Sequence, residues 1–264
     1  MRKLLLALFM IIAAPAVVLA QAGPVEPLLA KIRVERDSFG PIVFTFGDSI
    51  MRGYALGFFP DSSTKEQMNN PNWELRSPAS QLRALGHMAV YAGLSGQPDR
   101  VEDGAERISD LIDRKIIRDG DTIVLEDAGR HGTDPVEYYD NWLKLGAAAK
   151  KANATLIMMT VPDEIKADVL GGAPADLYRF SVEFEGASFN AATLFAAHSL
   201  GAKLIDYKTL MRKAKIPGKS LLHDDGIHPN LEGQTIMVKA IIEAIKPDAL
   251  ATGYSYRNGK SAGD

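Results

Sequence analysis

Five short apolar runs recur along the chain, each bounded by turn residues: PIVFTF (41–46), HMAVYA (87–92), DTIVLED (121–127), ATLIMMTV (154–161) and AKLIDY (202–207). They are rich in β-branched and aromatic residues and apolar nearly throughout, where a half-exposed strand would alternate. This pattern predicts strands buried on both faces, and therefore a parallel sheet covered by helices.

Segments of helical period separate the runs. SPASQLRAL (77–85) opens on Ser77 before Pro78, a side-chain cap followed by proline at the first helical position. VEDGAERISDLIDRKI (101–116) places Val101, Ala105, Ile108, Leu111 and Ile112 on one face. DPVEYYDNWLKLGAAAKKA (134–152) repeats the cap-then-proline opening with Asp134 and Pro135, and SFNAATLFAAHSL (188–200) and NLEGQTIMVKAIIEAI (230–245) complete the series. Alternation of strand and helix with right-handed crossovers predicts an open, doubly wound α/β sheet.

Two connections are longer than usual, 53–76 and 162–186, and both leave the C-terminal end of a strand. Open α/β sheets bind ligands at that edge. Phe58, Phe59, Trp73, Tyr178 and Phe180 in these connections suit either the small core of a surface insertion or the walls of a substrate site.

The chain ends have their own patterns. Arg2 and Lys3 precede the apolar run LLLALFMIIAAPAVV and then Val18-Leu19-Ala20, the layout of a cleavable signal peptide over residues 1–20. Pro15 interrupts the run, which is short for a membrane span, so cleavage after Ala20 is expected rather than a retained anchor. The mature domain would cover 21–249 and be periplasmic or secreted. The polar, Gly- and Ser-containing segment 250–264 reads as a flexible tail.

Composition then removes several chemistries. There are no cysteines, which excludes disulfides, thiolate catalysis and cysteine-based zinc sites. A formal charge of −3, with no lysine or arginine stripe, speaks against nucleic acid as a partner. No phosphate-binding glycine fingerprint occurs, DGD (119–121) reads as a turn before a strand, and HDD (223–225) lacks a His-x-x-x-His partner. No cofactor and no metal is expected.

What remains is VFTFGDSIMRGY (43–54), where Ser49 follows the first strand. Ser49 could be a nucleophile exposed at a strand–helix junction or simply the cap of that helix. A hydroxyl nucleophile needs a base, and the base an orienting acid. Of the five histidines, His198 lies inside a helical segment, His87 opens a strand, and His131 and His223 stand beside other candidates. His228 stands in HDDGIHPN (223–230), a turn-rich loop, with Asp225 three residues before it. That spacing lets the carboxylate accept from Nδ1–H and leaves Nε2 facing a hydroxyl, although a capped turn that happens to contain His has the same spelling.

Taken together, GDSIMRGY with Gly53 and Tyr54, and Asp225-Gly226-Ile227-His228-Pro229 before the last helix, resemble the two outer blocks of the SGNH (GDSL) hydrolases, a family of serine esterases and lipases. The resemblance covers roughly residues 40–246. It implies a flavodoxin-like three-layer α/β/α sandwich with a five-stranded parallel sheet. It also implies a Ser49–His228–Asp225 triad with an oxyanion hole of three donors. The first donor would be the Ser49 N–H. The second would be a glycine after the second strand, where VYAGLSGQ offers Gly93 and Gly96, and Gly96 fits the family's Ser-Gly pattern better.

The third donor in the family is an Asn in a Gly-x-Asn-Asp setting, and this chain departs there. The run LEDAGRHG (125–132) has no Asn, and Arg130 falls at or beside its place. Arg130 could donate to the oxyanion, hold an anionic substrate group, or pair with Glu126 or Asp127.

The resulting expectation is an exported hydrolase of carboxylic esters, acting on O-acyl groups of a carbohydrate or lipid and working through an acyl-enzyme. Its partners would be small-molecule, lipid or glycan esters, with no stable membrane span after signal cleavage. Two alternatives stay open at this level: an O-acyltransferase of envelope polysaccharide using the same triad, and a non-catalytic glycan-binding protein of the same fold. The oligomeric state has no signature in the sequence.

Overall fold

The computed structural model describes residues 27–53, 77–93, 101–126, 135–161, 189–214, 217, 220–223 and 228–246. Its centre is five strands: β1 (Val43–Phe46), β2 (Ala89–Tyr91), β3 (Thr122–Leu125), β4 (Thr155–Met159) and β5 (Lys203–Ile205). They form one sheet in the order β2-β1-β3-β4-β5, and every neighbouring pair is parallel. The expected five-stranded parallel sheet is present, each strand lying inside its predicted apolar run.

The helices are α1 (Pro27–Glu35), α2 (Ser49–Arg52), α3 (Pro78–Ala84), α4 (Val101–Asp113), α5 (Pro135–Lys150), α6 (Phe189–Leu200), α7 (Tyr207–Ala214) and α8 (Leu231–Ile245). Successive strand residues point to opposite faces, so each strand feeds two cores. Phe44, Phe46, Ile123, Leu125, Leu156 and Met158 pack with α1, α4, α5 and α6 on one side. Val43, Val124, Ile157 and Met159 pack with α2, α3, α7 and α8 on the other. This double burial is why the runs are continuously apolar. Among the described residues, no helix is long and apolar enough to cross a membrane.

Two elements were not predicted. The α7 helix begins where AKLIDY was read as strand, because β5 stops at Ile205 and Asp206 starts the next turn, accepting the Thr209 N–H at 3.1 Å. The α1 helix has little amphipathic signal, and it ends on a tertiary contact that local pattern does not show. That contact is Arg36, buried just after α1. Its Nη2 donates to both oxygens of the fully buried Asp121 at 2.7 and 2.8 Å, and its Nε donates to the Ile116 carbonyl at 2.6 Å. Asp121 also accepts the backbone N–H groups of Ile42 and Arg118, each at 2.8 Å. The DGD turn thus clamps the N-terminal ends of β1 and β3 together.

A buried bidentate pair adds little to stability over a hydrophobic pair, but removing one partner strands a charge in the interior. Arg36→Ala should lower the unfolding free energy by about 3–5 kcal/mol, read as a shift of the urea midpoint. A midpoint equal to wild type would show that the clamp does not hold this edge.

Candidate active site

The turn leaving β1 is Gly47-Asp48, and α2 begins at Ser49. The cap of this helix is Asp48: its Oδ1 accepts the Ile50 N–H at 2.8 Å. Ser49 is therefore not spent on capping. Its Oγ lies 2.7 Å from His228 Nε2, across 179 positions of sequence, and both residues are half-buried. The cap of α2 is thus Asp48, and the Ser49 hydroxyl faces His228 instead.

The Gly47-Asp48-Ser49 turn is gripped from neighbouring strands. Glu126, which follows β3 and is buried, accepts the Asp48 N–H through Oε2 at 3.3 Å. This carboxylate lies so close to the turn that a Cβ on Gly47 would come within 2.6 Å of Oε2 and 2.9 Å of Met51 Cβ. From β2, the Tyr91 hydroxyl donates to the Gly47 carbonyl at 2.9 Å. Gly93 packs into that contact: a Cβ there would lie 2.8 Å from the Gly47 carbonyl oxygen and 2.6 Å from the Tyr91 hydroxyl. The Arg107 Nε of α4 donates to the Ala92 carbonyl and ties the same strand end to its covering helix.

His228 is held by the turn before α8. An antiparallel bridge joins Leu222 to Pro229, the His228 carbonyl accepts the His223 N–H at 2.7 Å, and the Leu221 carbonyl accepts the Asn230 N–H at 3.0 Å. Asn230 caps α8 by accepting the Gly233 N–H at 3.0 Å, and its Nδ2 donates to the Ser220 carbonyl at 2.8 Å. Tyr207 of α7 donates to the Gly233 carbonyl at 2.9 Å. Burial first, and the negative charge of Glu126 second, push the Tyr207 hydroxyl far above the ordinary phenol range, so it stays a donor.

The structure therefore brings Ser49 and His228 together. Asp225, Gly96, Arg130 and His131 lie outside the described residues, as do the two long connections with their aromatics and the segment 1–20. Gly93, the other glycine considered for the oxyanion hole, packs closely against Tyr91 and the Gly47 carbonyl. His87 is at the opposite end of its strand, and His198 is exposed on α6. Among the described residues, no group of three or more His, Asp or Glu is placed to hold a metal ion. Sequence reasoning missed the capping by Asp48 and the inward turn of Glu126. For Glu126 a signal existed, an acid closing an otherwise apolar run, but it was read only as a partner for Arg130.

The family model described as GDSL-like Lipase/Acylhydrolase family matches residues 45–236, a span that includes both Ser49 and His228. No curated protein matches the chain. Among solved structures, a member of the lipolytic protein G-D-S-L family from Veillonella parvula is similar at 20% identity with a TM-score of 0.54. That match covers 77% of this chain and 97% of the other. An alpha/beta hydrolase enzyme from the metagenome of Lake Arreo, Spain, is similar at 17% identity with a TM-score of 0.51, covering 78% of this chain and 95% of the other. At such identities the likeness is one of fold.

The close approach at Gly93 is open to a direct check. Gly93→Ala must displace either the Tyr91 ring or the Gly47 carbonyl, and overpacking of this kind costs about 1–3 kcal/mol. Urea unfolding of the variant should show that loss, and a midpoint matching wild type would mean the turn has slack that the contact distances deny.

Proposed function

The chain belongs to the GDSL-like lipase/acylhydrolase family and is a GDSL-type carboxylic ester hydrolase, and we propose that it is an exported enzyme that removes O-acyl groups from a carbohydrate or lipid through a Ser49–His228–Asp225 triad. The observation that carries the mechanism is the 2.7 Å contact between Ser49 Oγ and His228 Nε2.

Ser49 Oγ attacks the acyl carbonyl as its proton passes to His228 Nε2, and the carbonyl oxygen becomes an oxyanion. The Ser49 N–H is the first donor for that oxyanion, since it has no backbone acceptor among the described residues. The C–O bond to the alcohol then breaks, the departing oxygen takes the proton from His228, and the acyl group remains on Ser49. Water repeats the sequence in reverse, giving its proton to His228, and releases the carboxylic acid. Asp225 holds the Nδ1–H so that Nε2 faces Ser49, while Gly96 and Arg130 complete the oxyanion hole. The bond between Ser49 and His228 favours chemistry over passive glycan binding, because a binding surface has no use for a base aimed at a hydroxyl.

Hydrolysis of p-nitrophenyl acetate and butyrate tests this assignment. Ser49→Ala and His228→Ala should each lose at least about 10³-fold in kcat, and Asp225→Asn a loss of similar order. A fluorophosphonate probe should label the wild type at Ser49 and leave Ser49→Ala unlabelled. Turnover by Ser49→Ala at the wild-type rate would remove Ser49 from the mechanism.

Export rests on the charged start and interrupted apolar run of residues 1–20. Expression of the full chain in a Gram-negative host should give a periplasmic or secreted protein whose first residue is Gln21. A cytoplasmic product still beginning at Met1 or Arg2 would refute it.

A further inference from the structure

Gln234 lies in the second turn of α8, fully buried, and no step of the mechanism uses it. Its Nε2 donates to the Ile50 carbonyl at 2.9 Å. Its Oε1 is also buried and has no hydrogen-bond partner among the described residues. Glutamine is seldom fully buried, and an unmatched amide oxygen in the interior is unfavourable. Methionine has nearly the same shape and would fill the space without stranding an oxygen. Packing alone therefore does not account for a glutamine here.

The bond it makes is between the two halves of the site. Ile50 is the residue after Ser49, while Gln234 is on the helix whose cap, Asn230, stands two residues beyond His228, and the contact spans 184 positions. Ile50 and Met51 also share an apolar core with Met237, Val238 and Ile241. Apolar surfaces can shift against one another at little cost, whereas a directional hydrogen bond in a dry interior fixes register. The Ile50 carbonyl already accepts the Gly53 N–H at 3.0 Å, which closes the short helix. Gln234 is thus a second donor to an oxygen that does not need it for local structure.

We propose that Gln234 is a positioning residue that holds the nucleophile helix in register with the helix that follows the base, and so sets the Ser49–His228 distance. This rests on the assignment of those two residues as nucleophile and base.

Gln234→Met removes the donor and the stranded oxygen together. It should fold with an unfolding midpoint near wild type and keep KM for p-nitrophenyl butyrate within about two-fold. Its kcat and its rate of fluorophosphonate labelling should both fall by about 10- to 100-fold, the scale of a displacement approaching 1 Å at reacting atoms. Val238→Ala, which opens a cavity on the same helix, should lower the midpoint and leave kcat within about two-fold of wild type.

Gln234→Glu gives a second readout. A buried glutamic acid stays neutral at neutral pH and can donate its O–H to the Ile50 carbonyl. This variant should approach wild-type kcat at pH 7 and lose activity relative to wild type as rising pH ionises the side chain. The ratio of Gln234→Met to wild type should stay flat over the same range.

Wild-type kcat in a folded Gln234→Met overturns the proposal, as does an equal loss in Val238→Ala. If Gln234→Met does not fold, a pH-independent ratio for Gln234→Glu overturns it instead. Wild-type turnover by Ser49→Ala, measured alongside, strikes at the underlying assignment, so the two failures are distinguishable.

Discussion

The site depends on the position of β1 as an inner strand, hydrogen-bonded to β2 on one side and β3 on the other. All five strands run the same way, so their C-terminal ends share one edge. Because the chain goes from β1 to β2 on one side and then crosses over to β3, the junction of β1 and β3 is the switch point of the sheet, where open α/β sheets bind ligands. Ser49 follows the end of β1, Glu126 that of β3 and Gly93 that of β2. Both faces of the strands are covered by helices, so polar chemistry is confined to the strand ends. The opposite edge holds the other kind of charge, the Arg36–Asp121 pair, which is fully matched and has nothing left to offer a substrate.

Capping divides the labour within Gly47-Asp48-Ser49. A helix start leaves several N–H groups without acceptors, and a serine placed there would ordinarily turn its hydroxyl onto one of them. Asp48 accepts the Ile50 N–H itself, and the adjacent hydroxyl is left for His228. The same aspartate is buried, and its own N–H is matched by Glu126. The spelling Gly-Asp-Ser thereby has a local physical meaning: a residue thin enough to pass a carboxylate, a cap, and a hydroxyl excused from capping.

Legibility in the sequence followed the range of the interactions. Strands buried on both faces and helices opened by Ser77-Pro78 or Asn230 carry their signals within a few residues, and each emerged close to where pattern put it. The Ser49–His228 pair was legible only because two separated motifs resemble one family's blocks; neither fragment alone distinguished a catalytic residue from a turn. Arg36, Glu126 and Gln234 were not legible in their roles. A charged or amide residue in an amphipathic segment, or an acid closing a strand, has an ordinary solvated reading, and its burial depends on partners 85, 78 and 184 positions away. Asp121 shows the same limit, since a turn aspartate and the anchor of two strand ends have identical local spelling.

The backbone around Ser49 can be followed group by group. The Gly47 carbonyl takes the Tyr91 hydroxyl, the Asp48 N–H gives to Glu126, and the Asp48 carbonyl takes the Arg52 N–H at 3.1 Å. The Ile50 N–H gives to Asp48, and the Ile50 carbonyl takes both Gly53 and Gln234. Three of these partners are side chains from β2, the end of β3 and α8, so the turn is held from three directions through its main chain rather than through its functional side chain. A rigid main chain with an unspent hydroxyl is what a serine nucleophile requires, because preorganised groups do not have to reorder as charge develops. The neighbouring side chains hold the turn without occupying the Ser49 N–H or hydroxyl, and this selective occupancy, more than the serine itself, makes the junction after β1 suited to acyl transfer.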